Sequence, residues 1–345
     1  MSVDTTALRQ SVAISRPEHV TVVRVAGEAA FAALDRVLPR ELFLRDGQIL
    51  HTLLLAEDAT PLCDLMVGRM DESYLLVAEG MVGAALVEHV RGQAPAGADL
   101  EVCSLDETHG LVSVDGPYAW ELLAEVLGPD VIGLPYLGLF PLPDFACLRS
   151  GKTGEYGYLL LGERAHLPAL WARLQERGAA LDVAEASLAA LDQCALENAF
   201  FNIRREGSLG LGPLELQLQW RVSYQKEFAQ AAALRARRAR GATARITALV
   251  SEAPLTSGDG LSMEGQAVGR IVNAGHSSTR GDWVGLGLVG LGFAHPGLTL
   301  QVADGPATAR TVSIPVINNR SLYVHPQRHS YRTRQQHDFP PLFRP

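Results

Sequence analysis

Residues 146–162 read ACLRSGKTGEYGYLLLG, a Gly-Lys-Thr set inside an apolar run. A phosphate loop of the form GxxxxGK[ST] needs glycine at both ends of the spacer and a helix behind it. Here the first glycine position is Ala146, and Gly154 and Gly157 follow where the helix should run. The alternating YGYLLL is strand-like instead. The stretch therefore predicts a hairpin, with FACLRS going out, a glycine-rich turn, and YGYLLL returning. Glu155, followed by Tyr156 and Tyr158, either caps backbone amides in that turn or forms the rim of a pocket for a flat ligand.

Working outward, strand and helix periods alternate. HVTVVRVAG reads as a strand and EAAFAALDRVL as an amphipathic helix. Residues 47–79 read as three strands broken by turn residues, and MVGAALVEHVRGQ as a helix. HGLVSVDGPYAWELLAEVLG repeats the order strand, Gly-Pro break, helix, and LPALWARLQERG is a further helix. Beyond about Leu234 the chain becomes glycine-rich, with short strands and turn signals up to about Tyr323. This predicts an α+β region over residues 1–233, a small β-barrel or sandwich over 234–323, and a polar extended tail over 324–345.

The 345 residues carry a formal charge of −8, which argues against a protein that grips nucleic acid or an anionic membrane. No apolar run reaches the roughly 18–20 residues of a membrane span, and the N-terminus lacks a basic-then-apolar leader, so a cytoplasmic location is expected. The arginines in LRARRARGATAR read as a solvated helix end. Cys63, Cys103, Cys147 and Cys194 lie too far apart for a zinc knuckle or a disulfide framework and are expected as free thiols. His325, His329 and His337 lack a metal-binding frame, so no metal site is expected, and His276 is a candidate cavity residue.

Two carboxylates are unusual in their settings. Asp64 interrupts the apolar strand LCDLMV, and Glu197 stands among apolar residues in CALENAF. A buried carboxylate must be paired, neutralised or turned toward a cavity.

The turn T-G-E-x-G at residues 153–157 resembles the G-Y-T-G-E-x-G hairpin of the glycine-cleavage T-protein (aminomethyltransferase) family. Six further segments recur in that family's order over residues 18–323. CDLMV resembles its D-D-L-x-V strand, and SVDGPYA its Q-G-P-x-A turn. SLAALDQCALENAF resembles A-R-D-x-L-R-L-E-A-G, and LQLQWRVSYQKEFAQAAAL resembles L-x-W-x-V…K-x-F-x-G-x-x-A-L. GQAVGRIVNAGHSS and IPVINN resemble its late hairpin and closing strand.

The resemblance implies a three-lobed fold, its first region comprising two lobes. It also implies tetrahydrofolate, in free or 5-methyl or 5,10-methylene form, as the one-carbon carrier, and a transferase or demethylase activity. By the same resemblance Asp64 is the catalytic acid or base and Glu197 the anchor of the pterin ring. Trp220, Tyr224, Tyr156, Tyr158 and Glu155 are candidate pocket walls, and Lys226 a contact for the folate tail. Glu79 stands where the family carries Asn and is expected to repel Asp64 and raise one of the two pKa values. Ala199 replaces the glycine of L-E-A-G, and Leu191-Asp192 replaces its Arg-Asp.

An N-terminal extension that carries substrate surface in T-proteins is expected to be missing, which favours a small-molecule donor over a lipoylated carrier. The iron–sulfur-assembly branch carries K-G-C-Y-x-G-Q-E, whereas this chain reads SYQKEFAQAA and lacks that thiol. The alternatives to an enzyme are a non-catalytic folate-binding or assembly factor, or a scaffold subunit that kept the fold.

Overall fold

The computed structural model describes residues 3–95, 97–303 and 305–343. The chain opens with α1 (Thr6–Gln10) and β1 (Ala13–Ser15), then builds a first lobe. That lobe contains β2 (Val20–Ala26), α2 (Ala30–Val37), β3 (Ile49–Leu55), β4 (Pro61–Met70), β5 (Ser73–Glu79), α3 (Gly83–Arg91) and β6 (Glu101–Ser104). Its sheet has the order β3-β4-β5-β2-β6 and is antiparallel throughout.

The second lobe contains β7 (His109–Asp115), α4 (Ala119–Leu127), β8 (Leu139–Pro141), β9 (Phe145–Leu148), β10 (Gly157–Glu163), α5 (Leu167–Gly178) and β11 (Ala184–Glu185). It takes in β1 from the start of the chain, giving the order β11-β1-β7-β10-β9-β8. After α6 (Leu188–Glu197), an irregular stretch and α7 (Ala231–Arg240), six strands close a barrel. These are β12 (Ala244–Ser251), β13 (Gly260–Met263), β14 (Gln266–Ser277), β15 (Asp282–Gly290), β16 (Thr299–Val302) and β17 (Thr308–Val312), closed by the pairing of β12 with β17. The fold is thus the expected α+β arrangement of three lobes with a C-terminal barrel.

Strand alternation determines where the site lies. Side chains point to opposite faces at successive strand positions. On β4, Cys63, Leu65 and Val67 pack toward α2 and α3 in the first core. The opposite faces of the two sheets meet each other through Val22, Ile49, Leu75 and Val77 on one side and Leu111, Leu148, Leu159 and Leu161 on the other. Where this apolar contact ends, Asp64 and Glu79 from the first sheet face Ser113 and Asp115 from the second across a cavity.

The turn at residues 149–156 is a hairpin loop, with Leu159 to Gly162 of β10 pairing with Leu148 to Phe145 of β9. Two of its glycines have local reasons. Gly154 has φ +82°, and a Cβ there would lie 2.6 Å from the side chains of Asn198 and Asn319. At Gly157 a Cβ would lie 2.8 Å from the Ser150 carbonyl and 2.9 Å from Asp115 Oδ1. Gly157→Ala is therefore expected to cost about 1–3 kcal/mol, because a backbone carbonyl must move. An unchanged urea midpoint would show that the turn yields freely. Ala199, which stands where the family motif has glycine, keeps the left-handed backbone with φ +52°.

The C-terminal segment is not the extended tail expected from its polarity. Val324 and Tyr331 are buried in the second-lobe core, with Phe339 packed against it. The Tyr331 amide donates to Glu121 Oε2 at 2.7 Å. A few apolar rings outweigh a polar composition because each buries a large area. Among the described residues, no helix is long and apolar enough to cross a membrane.

Candidate functional site

The cavity between the sheets has about 850 Å³ of empty space, its open mouth included. Its apolar walls include Met66, Val77, Leu159, Leu191 and Phe201. Its polar end is built around Asp64, which is 3% exposed. Asp64 Oδ1 accepts from Arg221 Nη1 at 2.7 Å and from His51 Nε2 at 2.9 Å, so the ring carries its proton on Nε2. Lys152 Nζ lies 2.7 Å from Asp64 Oδ2 and donates to Glu79 Oε1 at 2.9 Å.

Burial alone would raise the Asp64 pKa, but Lys152, Arg221 and His51 outweigh it and hold it well below the ordinary carboxylate value. Burial opposes the Lys152 charge, yet Asp64 and Glu79 together raise its pKa. For His51, burial prevails over the attraction of Asp64 and lowers its pKa, keeping the ring neutral at pH 7.

This corrects the expectation for Glu79. Asp64 and Glu79 are cross-strand neighbours in register, but the Lys152 ammonium bridges them and replaces repulsion with a three-centre ion pair. Across the cavity, Arg204 pairs with Asp192 at 2.5 Å and stands 3.9 Å from Glu79. His19 Nε2 is also 3.9 Å from Glu79, and burial lowers its pKa.

Of the remaining sequence candidates, none lines this cavity. Glu197 is 0% exposed. It accepts from Arg9 Nη2 at 2.6 Å and from Ser277 Oγ at 2.6 Å, so both of its oxygens are spent inside the protein. Glu155 is buried as well, 3.4 Å from Arg9 Nη1 and bonded to the Ser321 amide at 2.7 Å. Burial raises its pKa, since the closer arm of the guanidinium serves Glu197.

Tyr158 fills the second-lobe core, and the Tyr156 hydroxyl donates to the Val324 carbonyl at 2.8 Å. Trp220 is 56% exposed and stands edge-on to His51 at 5.9 Å, outside the cavity wall. Tyr224 lies under Arg238, 4.4 Å from the guanidinium. Lys226 is buried against Asp35 and the Leu38 carbonyl, both 2.8 Å from Nζ, and is closed to any ligand.

Sequence reasoning missed Lys152, His51, Arg221, Arg204 and Asp115. Asp115 gave the same signal as Asp64, a carboxylate ending the apolar strand LVSVD. His276 lines a separate groove between α6 and the barrel. Cys63, Cys147 and Cys194 are free and buried, and Cys103 is free and half-buried. Among the described residues, no group of three or more His, Cys, Asp or Glu side chains is arranged to hold a metal ion.

Comparison with known proteins places this architecture. The sequence profile described as GCVT N-terminal domain matches residues 1–226, which reaches upstream of the region where the motifs resemble the T-proteins. The chain belongs to that family. An aminomethyltransferase of Rubrobacter xylanophilus is 28% identical over 320 residues, covering 90% of this chain and 84% of the relative. One from Streptomyces coelicolor is 28% identical over 304 residues, covering 84% and 82%. The crystal structure of glycine cleavage system aminomethyltransferase T from Bartonella henselae superimposes with a TM-score of 0.79 at 25% identity, covering 90% of this chain and 88% of that one. As a family member, the chain departs from the pattern that the motifs imply at Glu197, whose carboxylate is taken by Arg9.

Proposed function

We propose that this protein is a tetrahydrofolate-dependent one-carbon transferase whose cavity between the sheets takes the folate ring and a small-molecule donor such as an amine, ether or thioether. The observation that carries this reading is Asp64, a buried carboxylate held ionised at the polar end of a cavity with apolar walls. Its two oxygens offer about four acceptor sites, and Lys152, Arg221 and His51 take three, leaving one for a ligand N–H. The apolar walls, contributed by both sheets and by the segment around α6, suit a heterocycle. Tetrahydrofolate, when bound, supplies the nitrogen atoms that carry the one-carbon unit. The relatives named aminomethyltransferase support the same class of activity.

In this reading Asp64 is a fixed negative charge. Lys152, Arg221 and His51 orient it and keep it ionised, so it stabilises positive charge developing on a nitrogen and accepts a hydrogen bond from that nitrogen. Leu191 and Phe201 exclude water beside it. A second reading, a folate-binding or scaffold protein without turnover, is favoured by one observation: Glu197 is committed to Arg9 and Ser277 and is not free to anchor a pterin.

Calorimetric titration with tetrahydrofolate tests the site. The expected result is micromolar binding, lost in Leu188→Trp, which places a ring at the exposed mouth of the cavity. Absence of both heat and thermal stabilisation would overturn the folate reading. Binding without transfer from any amine, ether or thioether donor would favour the second.

A further inference from the structure

The cavity holds a second buried carboxylate in an environment opposite to that of Asp64. Asp115 ends β7 and is 3% exposed. Its Oδ2 accepts from Ser113 Oγ at 2.5 Å, and its Oδ1 has only a long contact of 3.4 Å from Thr153 Oγ1. Among the described residues, no cation lies within 4 Å of it. The charged and titratable groups around it are committed elsewhere. Lys152 from the turn goes to Asp64 and Glu79, and Arg9 to Glu155 and Glu197. Arg204 pairs with Asp192. From α6, Cys194 has its thiol pushed up to about 12, burial being the main cause. His19, on the β1–β2 connection, faces Glu79.

We propose that Asp115 sits in the cavity as a neutral carboxylic acid that donates a hydrogen bond from its own proton to a lone-pair-bearing atom of the bound ligand, opposite the ionised Asp64. Two carboxyls of one cavity are thereby assigned different roles by their surroundings, one donor and one acceptor. Oδ1, with no close partner, is the oxygen free to carry the proton. Burial pushes the Asp115 pKa up to about 7, with the Ser113 and Thr153 hydroxyls offsetting part of the effect. The family turn that SVDGPYA resembles carries Gln at this position, and a protonated carboxyl is the acidic side chain nearest to an amide in its ability to donate. The choice of ligand rests on the folate reading; the protonation state does not.

Carbon-13 NMR of protein labelled at aspartate side-chain carboxyls, titrated without ligand, tests the first half. The resonance lost in Asp115→Asn is expected to titrate near pH 7, and to move upward in Ser113→Ala, which removes a donor to the charged form. A midpoint below 5 overturns the proposal. Calorimetry with tetrahydrofolate at pH 6 and pH 8.5 tests the second half. Wild-type affinity is expected to fall about tenfold at the higher pH, with no such fall in Asp115→Asn. Equal affinity of the wild type at both pH values overturns the donor role. No binding at either pH, with Asp115 still titrating near 7, overturns the folate reading and supports the neutral acid.

Discussion

Arg9→Met is expected to cost at least about 3–5 kcal/mol of stability at pH 7, the range for breaking a buried ion pair by removing one partner. Arg9 is 1% exposed and is the shared cation of Glu155 and Glu197, whose side chains are both 0% exposed. It also donates to the Thr153 carbonyl at 2.7 Å, to Asn319 Oδ1 at 3.1 Å and to the Cys194 carbonyl at 3.3 Å. Methionine fills similar length but leaves two carboxylates buried without a counter-charge. Protonation relieves such charges, so the deficit is expected to shrink between pH 8 and pH 5. Urea unfolding of both proteins at the two pH values reads it directly. A deficit below about 1 kcal/mol, or one independent of pH, would show that the two carboxylates do not depend on Arg9.

Asp64→Asn is expected to lower turnover with the one-carbon donor about 10²–10³-fold, the range for removing one preorganised electrostatic group. The amide keeps the shape and loses the charge that faces Lys152 and Arg221. Tetrahydrofolate binding should weaken less, since much of the cavity wall is apolar. The pH dependence follows from the sign of the shift. A carboxylate whose folded pKa is depressed contributes stability above its unfolded value of about 3.9, lost as pH falls through the folded value. Asp64 therefore stays charged through mild acid, and the wild-type rate should show no Asp64-dependent fall above about pH 4. Full turnover in Asp64→Asn would remove it from the chemistry.

The fold was legible because its signals are local. The hairpin around Gly151–Gly157 follows from turn glycines between alternating strands, and the barrel from regularly spaced turns. Asp64 stood out because one charge broke a strand pattern, and that signal needs no partner. What the sequence hid is pairing over distance. Lys152 belongs to a Gly-Lys-Thr that fails as a phosphate loop, and its role depends on β4 and β5 aligning Asp64 with Glu79. Arg221 is 157 residues from Asp64. Glu197 read as a ligand anchor because its partner, Arg9, is 188 residues away, in a helix too short to announce a function. Trp220 and Lys226 sit in the right motif, but one faces solvent and the other is tied to the Asp35 carboxylate.

The Arg9 guanidinium also bears on how such a chain can be inherited. From α1 it reaches the hairpin of the second lobe, α6 and, beyond the barrel, Asn319, while Ser277 of the barrel closes the far side of Glu197. Recombination that swapped one of these segments for that of a distant relative would strand a charge or an amide in the interior unless the matching residues travelled with it. The second lobe and the barrel look modular in outline, yet with α1 and α6 they share one indivisible joint, so these segments are bound to descend together.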